Sequence, residues 1–263
     1  MEPNRYTQII ESIFAEKYQP GATSIVFERE DIVTTAAALG IKLPKNVGDV
    51  IYSFRYRATF PDMILSTAPA GREWVIRPVG QARYQFALAD MAQIKPSALL
   101  ADTKILDGTP GMIARYAVTD EQGLLAKVRY NRLIDIFTGV TCFSLQSHLR
   151  TTVKGIGQIE TDEIYVGVDR RGVQYVFPVQ AKGGRDRLGI VQIEQDFAMC
   201  AAKFPNLVCV PIAAQSIDEK TIALFSFEQG EGRVRIVSEK HYRLVDVNEL
   251  SVDELAAYRI RTD

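Results

Sequence analysis

Two short spacings in this chain have the residue types for chemistry: Glu160-x-Asp162 and Gln180-x-Lys182. Each lies in a stretch with a two-residue hydrophobic period, 158–168 (QIETDEIYVGV) and 173–182 (VQYVFPVQAK), so each pair shares one face of an expected strand. Asp169-Arg170-Arg171-Gly172 between them reads as a tight hairpin turn. A hairpin brings two carboxylates, an amide oxygen and an ammonium together. Carboxylate and carbonyl oxygens are the hard ligands that magnesium takes. The bound ion polarises a phosphate and lowers the pKa of a coordinated water. A neighbouring lysine orients that water or offsets the charge added in the transition state. Phosphodiester hydrolysis needs such a set. Gly183-Gly184 after Lys182 leaves room for a phosphate backbone to come close. The competing reading makes Glu160, Asp162 and Glu163 a solvated strand face, with Lys182 as an ion-pair partner.

Other polar groups surround this stretch. Gln192, Gln195 and Asp196 fall on an expected helix after Lys182, where helical spacing sets Gln192 near Gln195 or Asp196. They would support the site, contact a ligand, or sit exposed. Ser144, Gln146, His148 and Arg150 precede the strands; His148 is a candidate proton carrier, with packing or DNA contact as its other reading. Glu121 or Asp135 could add an acid from the preceding helix, and His241 reads as structural.

The elements that must carry these groups follow from period and punctuation. Helical spacing of Tyr6, Ile9, Ile10, Ile13 and Phe14 predicts a helix over 4–17, ended by Pro20-Gly21. A second helix runs from near Glu28 to Gly40, and Asn46 caps a third element from Val47 to Arg57. Trp74-Val75-Ile76 and Tyr84 to Leu88 read as two strands. Three helices and a hairpin over residues 1–92 suit a winged-helix-like α+β domain, as they would any small α+β domain, and 93–120, with Pro96, Gly108, Pro110 and Gly111, read as a connection. A domain over 121–263 follows. It holds a helix over about 121–138, a short helical segment at 144–150, the hairpin and a helix over 188–203. Strands at 207–213, 221–228, 233–237 and 241–246 close it, and Pro178 counts against a central place for its strand. Helix, hairpin, helix and strand in that order make an α/β/α core.

The arrangement Glu160-x-Asp162, hairpin, Gln180-x-Lys182 resembles the PD-(D/E)XK nuclease superfamily, the restriction-endonuclease-like fold, over roughly residues 121–215. Glutamine in place of the usual acid resembles the branch typified by Mrr-type restriction enzymes. The resemblance implies that Asp162 and Gln180 bind Mg2+, with Glu160 as a further ligand, and that Lys182 is catalytic. It implies a double-stranded DNA substrate, a homodimer that cuts both strands, and a cognate DNA methyltransferase as a further partner. A second reading keeps the fold without catalysis, as a DNA-binding regulator or sensor, because a neutral ligand at 180 holds a cation more weakly, and a third is a nuclease of another polynucleotide, RNA or branched DNA.

The N-terminal stretch NVGDVIYSFRYR interleaves aromatic and basic residues. In a winged helix-turn-helix the third helix enters the major groove, where arginine can grip guanine. Ser53, Arg55, Arg57 and Gln192 are the candidate DNA contacts, against the reading that Val50, Ile51 and Phe54 form a packed face with the arginines merely exposed. Across 263 residues, 47% hydrophobic and 24% charged content fits a folded globular protein, and the net charge of −1 leaves any phosphate contact to local arginine clusters. No run of about 18 apolar residues occurs, so no span across a membrane is expected. Cys142, Cys200 and Cys209 match no zinc or disulfide spacing and suit a reducing, cytoplasmic setting.

Overall fold

Hydrophobic period and capping chemistry divide the chain into alternating helices and strands, seen here in a computed structural model that describes residues 4–56, 58–116, 121–183, 188–230 and 233–260. They cluster into two compact units. One holds Met1–Ile94, Arg150–Ile159 and Gly189–Gln195; the other holds Lys95–Leu149, Glu160–Leu188 and Asp196–Asp263.

In the first unit, Asn4 accepts the Tyr6 N–H (3.2 Å) and starts α1 (Arg5–Lys17), which buries Ile9, Ile10, Ile13 and Phe14. Next comes β1 (Ser24–Glu28), whose alternation buries Ile25 and Phe27. Its length of 5 residues hid it from sequence inspection, since it runs straight into α2 (Arg29–Ala38). The Glu28 N–H is held by Asp31 Oδ2 (2.6 Å), which fixes where strand becomes helix. Asn46 accepts the Gly48 N–H (3.1 Å) ahead of α3 (Gly48–Tyr56), and α4 (Asp62–Leu65), β2 (Glu73–Gly80), β3 (Arg83–Ala89) and β4 (Gln93–Ile94) follow. β1, β3 and β2 make an antiparallel sheet in that order. Phe14 stands edge-on to Trp74 and Phe86 (centroids 5.3 and 5.2 Å), tying α1 to the sheet through buried aromatic area.

The second unit contains β5 (Asp102–Leu106), α5 (Gly111–Tyr116), α6 (Glu121–Tyr130) and α7 (Leu133–Thr138). Further along the chain come β6 (Thr141–Val153), β7 (Gly157–Val168), β8 (Gln174–Lys182), β9 (Leu188–Gly189) and α8 (Ile190–Lys203). Last are β10 (Val208–Cys209), β11 (Ile212–Ser216), β12 (Thr221–Gly230), β13 (Arg233–Val245), a 3-10 turn (Val247–Glu249) and α9 (Val252–Ile260). The chain is thus mixed α/β with a large mixed sheet, in the order β5-β13-β12-β11-β8-β7-β6 among the described residues. β8 runs antiparallel to β7 and parallel to β10 and β11. None of the described helices is long and apolar enough to cross a membrane. All three cysteines are unbridged.

Several sequence expectations change here, each for a local reason. The helix expected over 121–138 breaks into α6 and α7 because Arg132 adopts a left-handed conformation (φ 51°). Asn131 anchors the break: its amide takes the Gly108 N–H (2.7 Å) and donates to Thr109 Oγ1 and the Lys127 carbonyl (both 2.9 Å). Residues 144–150, expected as a helical segment, belong to strand β6; Leu145 and Leu149 have helical spacing, yet Leu145 is exposed on this last strand of the sheet. The stretch 207–213 splits into β10 and β11. Residues 233–245 form one strand, because Ser238, Glu239 and Lys240 pair with Ser226, Phe225 and Leu224 instead of turning. β5 and α9 were not anticipated. Pro178 is tolerated in a central strand because its missing N–H falls between the Cys209↔Val176 and Ile212↔Val179 pairs, where the parallel ladder passes from β10 to β11.

Candidate active site

The β7–β8 hairpin is closed by Asp169, which accepts the Arg171 (2.8 Å) and Val173 (3.0 Å) N–H groups, while Gly172 takes the positive φ (83°). From Val168↔Gln174 the strands pair as far as Glu163↔Val179. Beyond that pair the Ala181 N–H donates to the Asp162 side chain, Oδ2 at 2.8 Å. A side chain thus takes a position in the sheet where a backbone carbonyl would ordinarily serve.

Asp162 is 9% exposed. Burial pushes its carboxyl above the usual carboxylate value; the Ala181 N–H and the Lys182 charge pull the other way, Glu121 pushes it up, and His148 draws it down. Lys182, Glu121 and His148 therefore all act on one carboxylate, two of them (Glu121 and His148) groups that the sequence offered only as separate candidates. Lys182 Nζ forms an ion pair with Glu121 Oε1 across to α6, with the lysine side chain 12% exposed. On β6 His148 has an exposed ring that shares a hydrogen bond with Gln122 (2.8 Å) and a positive φ (50°).

Gln180 is buried (1%) and its amide nitrogen is held on two sides. It donates to the Glu160 carbonyl (3.1 Å) and lies 3.1 Å from both Asp196 oxygens. Asp196, fully buried on α8, also accepts from Thr161 Oγ1 (2.6 Å). Burial drives the Asp196 carboxyl up to about 7, against the hydrogen bonds from Thr161 and Gln180 and with the Asp162 charge.

The structure thus sets Lys182 near Asp162, while the printed bonds of Gln180 run to the Glu160 carbonyl and Asp196. Glu160 meets Gln180 with its backbone carbonyl, and its side chain is exposed. Glu163 is fully buried: its Oε1 is bound by Arg129 (2.8 Å) and Ser144 (2.6 Å), so Asp162 and Glu163 do not form a solvated strand face. Among the described residues no group of three or more His, Cys, Asp or Glu side chains could hold a metal ion. A carboxylate such as Asp162 and an amide oxygen such as that of glutamine are donors of the kind magnesium takes.

The candidate DNA contacts lie in the first unit. Ser53 and Arg55 are half-buried on α3, and the Arg55 guanidinium donates to Gln195 Oε1 (2.8 Å). Gln192 accepts the Gly189 N–H (3.3 Å), while Arg57 lies outside the described residues. Sequence reasoning gave Asp196 no part in holding Gln180 and passed over Thr161. The signal was present: Ile193, Asp196 and Cys200 recur at helical spacing on the buried side of α8, so a carboxylate stood in an apolar stripe. Comparison with protein-family models, with curated proteins and with solved structures returned no match for this chain.

Proposed function

We propose that this chain is a magnesium-dependent endodeoxyribonuclease that hydrolyses phosphodiester bonds of double-stranded DNA, with a restriction-endonuclease-like second unit and a winged-helix-like, sequence-reading first unit. The observation that carries the reading is Asp162. It is a buried carboxylate with no ion pair of its own among the described residues, fixed by the Ala181 N–H at the point where two strands part, beside a Lys182 ammonium that Glu121 already pairs. Burying a charge in this way is unfavourable unless something compensates it, and a metal ion does so directly. The order helix, strand, helix, helix, short helix, strand, strand, with the sheet order β1-β3-β2, supports the winged-helix reading of the first unit.

In this account Asp162 and Gln180 hold Mg2+, and Glu160 completes the set from its exposed position. When bound, the ion supplies Lewis-acid polarisation of the phosphate and a more acidic water. Lys182 donates to the attacking water or to a non-bridging phosphate oxygen, adding positive charge where the transition state gains negative charge. Glu121 keeps that ammonium in one place until the phosphate arrives. A homodimer would supply one such site for each strand, and a cognate DNA methyltransferase would protect the host's own sites.

The second reading, a DNA-binding regulator or sensor without catalysis, draws on the neutral ligand at position 180. Incubating the protein with methylated and unmethylated plasmid and phage DNA, with and without magnesium, separates the two. Discrete magnesium-dependent fragments support the nuclease. Retarded DNA in a gel shift with no cleavage of any substrate supports the regulator and overturns the main reading.

A further inference from the structure

His148 has a positive φ (50°) inside strand β6, a backbone conformation that an L side chain adopts only at a cost. Its ring is exposed, so burial does not offset that cost. What the conformation changes is direction. Along a regular strand successive side chains point to opposite faces. Ser147 and His148 instead both meet α6: Ser147 Oγ accepts from the Arg129 guanidinium (3.4 Å), and the His148 ring shares a hydrogen bond with Gln122 (Nε2 to Nε2, 2.8 Å).

Gln122 stands next to Glu121, the partner of Lys182, so the start of α6 holds Lys182 with one side chain and His148 with the next. The sheet order β8-β7-β6 sets the strand of Asp162 between the strand of Lys182 and that of His148. His148 is also near enough to Asp162 for its positive charge to favour the ionised carboxylate, as the charge of Lys182 does. An ammonium and an imidazole thus reach one carboxylate from opposite sides.

Breaking a phosphodiester bond leaves an alkoxide, and a proton donor at that oxygen lowers the barrier. Lys182 serves the attacking water or a non-bridging oxygen and does not fill this role. An imidazole changes charge near neutral pH, which suits it to giving and regaining a proton. In His148 Nε2 is taken by Gln122, while Nδ1 makes no hydrogen bond among the described residues. The exposed Gln122 amide can give an N–H to the neutral ring or, turned over, offer its oxygen to the Nε2–H of the charged one.

We propose that His148 is the general acid of the reaction: in its charged form it gives the Nδ1 proton to the leaving oxygen, with Gln122 as the positioning residue that holds the ring. The bond from the water oxygen to phosphorus forms, and the bond from phosphorus to the leaving oxygen breaks. The electron pair of the broken bond takes the Nδ1 proton. The proton lost by the water passes to solvent, from which the ring is charged again. This rests on the nuclease reading above and adds a role that neither Asp162 nor Lys182 fills.

The test uses His148→Gly, which suits a positive φ without strain, and His148→Asn, which tolerates it. Wild type first maps the cut in magnesium. Two duplexes are then made around that cut, one ordinary and one with sulfur in place of the leaving oxygen. A thiolate is a better leaving group than an alkoxide and needs no proton to depart. On the ordinary duplex, single-turnover cleavage by His148→Gly should be slower than wild type by about a hundredfold or more. Free imidazole added to the reaction should restore part of the rate. On the sulfur duplex the variant should come close to wild type, and DNA binding and melting temperature should not change. Equal slowing on both duplexes without rescue by imidazole, or an unchanged rate on the ordinary duplex, overturns the proposal. If His148→Gly melts well below wild type, His148→Asn is judged on the same pair of duplexes. A wild type that cuts no DNA in magnesium refutes the nuclease reading itself, a distinct result.

Discussion

Replacing Asp162 with asparagine is expected to make the metal-free protein more stable while removing its response to magnesium. The carboxylate is 9% exposed and receives one backbone N–H at 2.8 Å, which the asparagine oxygen would still accept. What changes is the charge. Burial raises the folded-state pKa above the ordinary 3.8, so ionised Asp162 destabilises the fold wherever the group is charged in both states. An uncompensated buried charge is costly and the nearby Lys182 offsets part of that cost, so neutralising it should gain on the order of 1 kcal/mol. For a chain of this size that corresponds to a rise in Tm of about 2–4 °C. The advantage should be full at neutral pH, shrink as pH falls through the raised folded value, and vanish below the unfolded value of 3.8. Magnesium should reverse the ranking: at ten times its Kd it adds about 1.4 kcal/mol to wild type and little to the variant. Thermal melts in EDTA and in magnesium, at several pH values, measure both effects. A variant that melts below wild type in EDTA, together with equal magnesium shifts in the two proteins, refutes the reasoning.

Three further outcomes test the frame around the site. In Gly167→Ala the new Cβ would meet Val140 Cγ1 at 2.8 Å and the Thr141 carbonyl at 3.0 Å, so stability should fall by about 1–3 kcal/mol; an unchanged urea midpoint contradicts this. Asn131→Ala removes an amide that ties residues 108 and 109 to the end of α6, and about 2–3 kcal/mol should be lost at roughly 1 kcal/mol for each hydrogen bond, read by denaturant unfolding. The Lys104 hydrogen bond, aided by the Ser251 N–H, holds Glu254 down to about 2 from the ordinary 4.5. Its contribution is therefore present above pH 4.5 and lost as pH falls through 2, and an NMR titration of Glu254 with a midpoint near 4.5 would disprove the contact.

Much of this molecule is legible where chemistry is local. The spacing of Ile9, Ile10, Ile13 and Phe14 marks α1, and Asp169 to Gly172 marks the hairpin that carries Asp162 and Gln180. What escapes is decided at a distance. Arg132 turns left-handed where Asn131 bonds to Gly108 and Thr109, residues more than twenty positions away. Leu145 and Leu149 imitate a helix until β6 adds to the β7 side of the sheet. β5 shows little apolar signal because β13 supplies its parallel neighbour from 139 residues along the chain, as in His241↔Asp102. At the site, Glu121 is one of two acids, with Asp135, on the helix that the sequence predicts, until the fold brings it to Lys182. Asp196 shows the reverse case, since its place in an apolar stripe was visible before any fold was known.

The most direct measurement is single-turnover cleavage of plasmid DNA by wild type, Lys182→Ala and Asp162→Ala, each in magnesium and in EDTA. The account predicts strand breaks by wild type in magnesium alone, and none from either variant although both still bind DNA. Cleavage by the variants at the wild-type rate, or by wild type in EDTA, would contradict an active site built on Asp162 and Lys182.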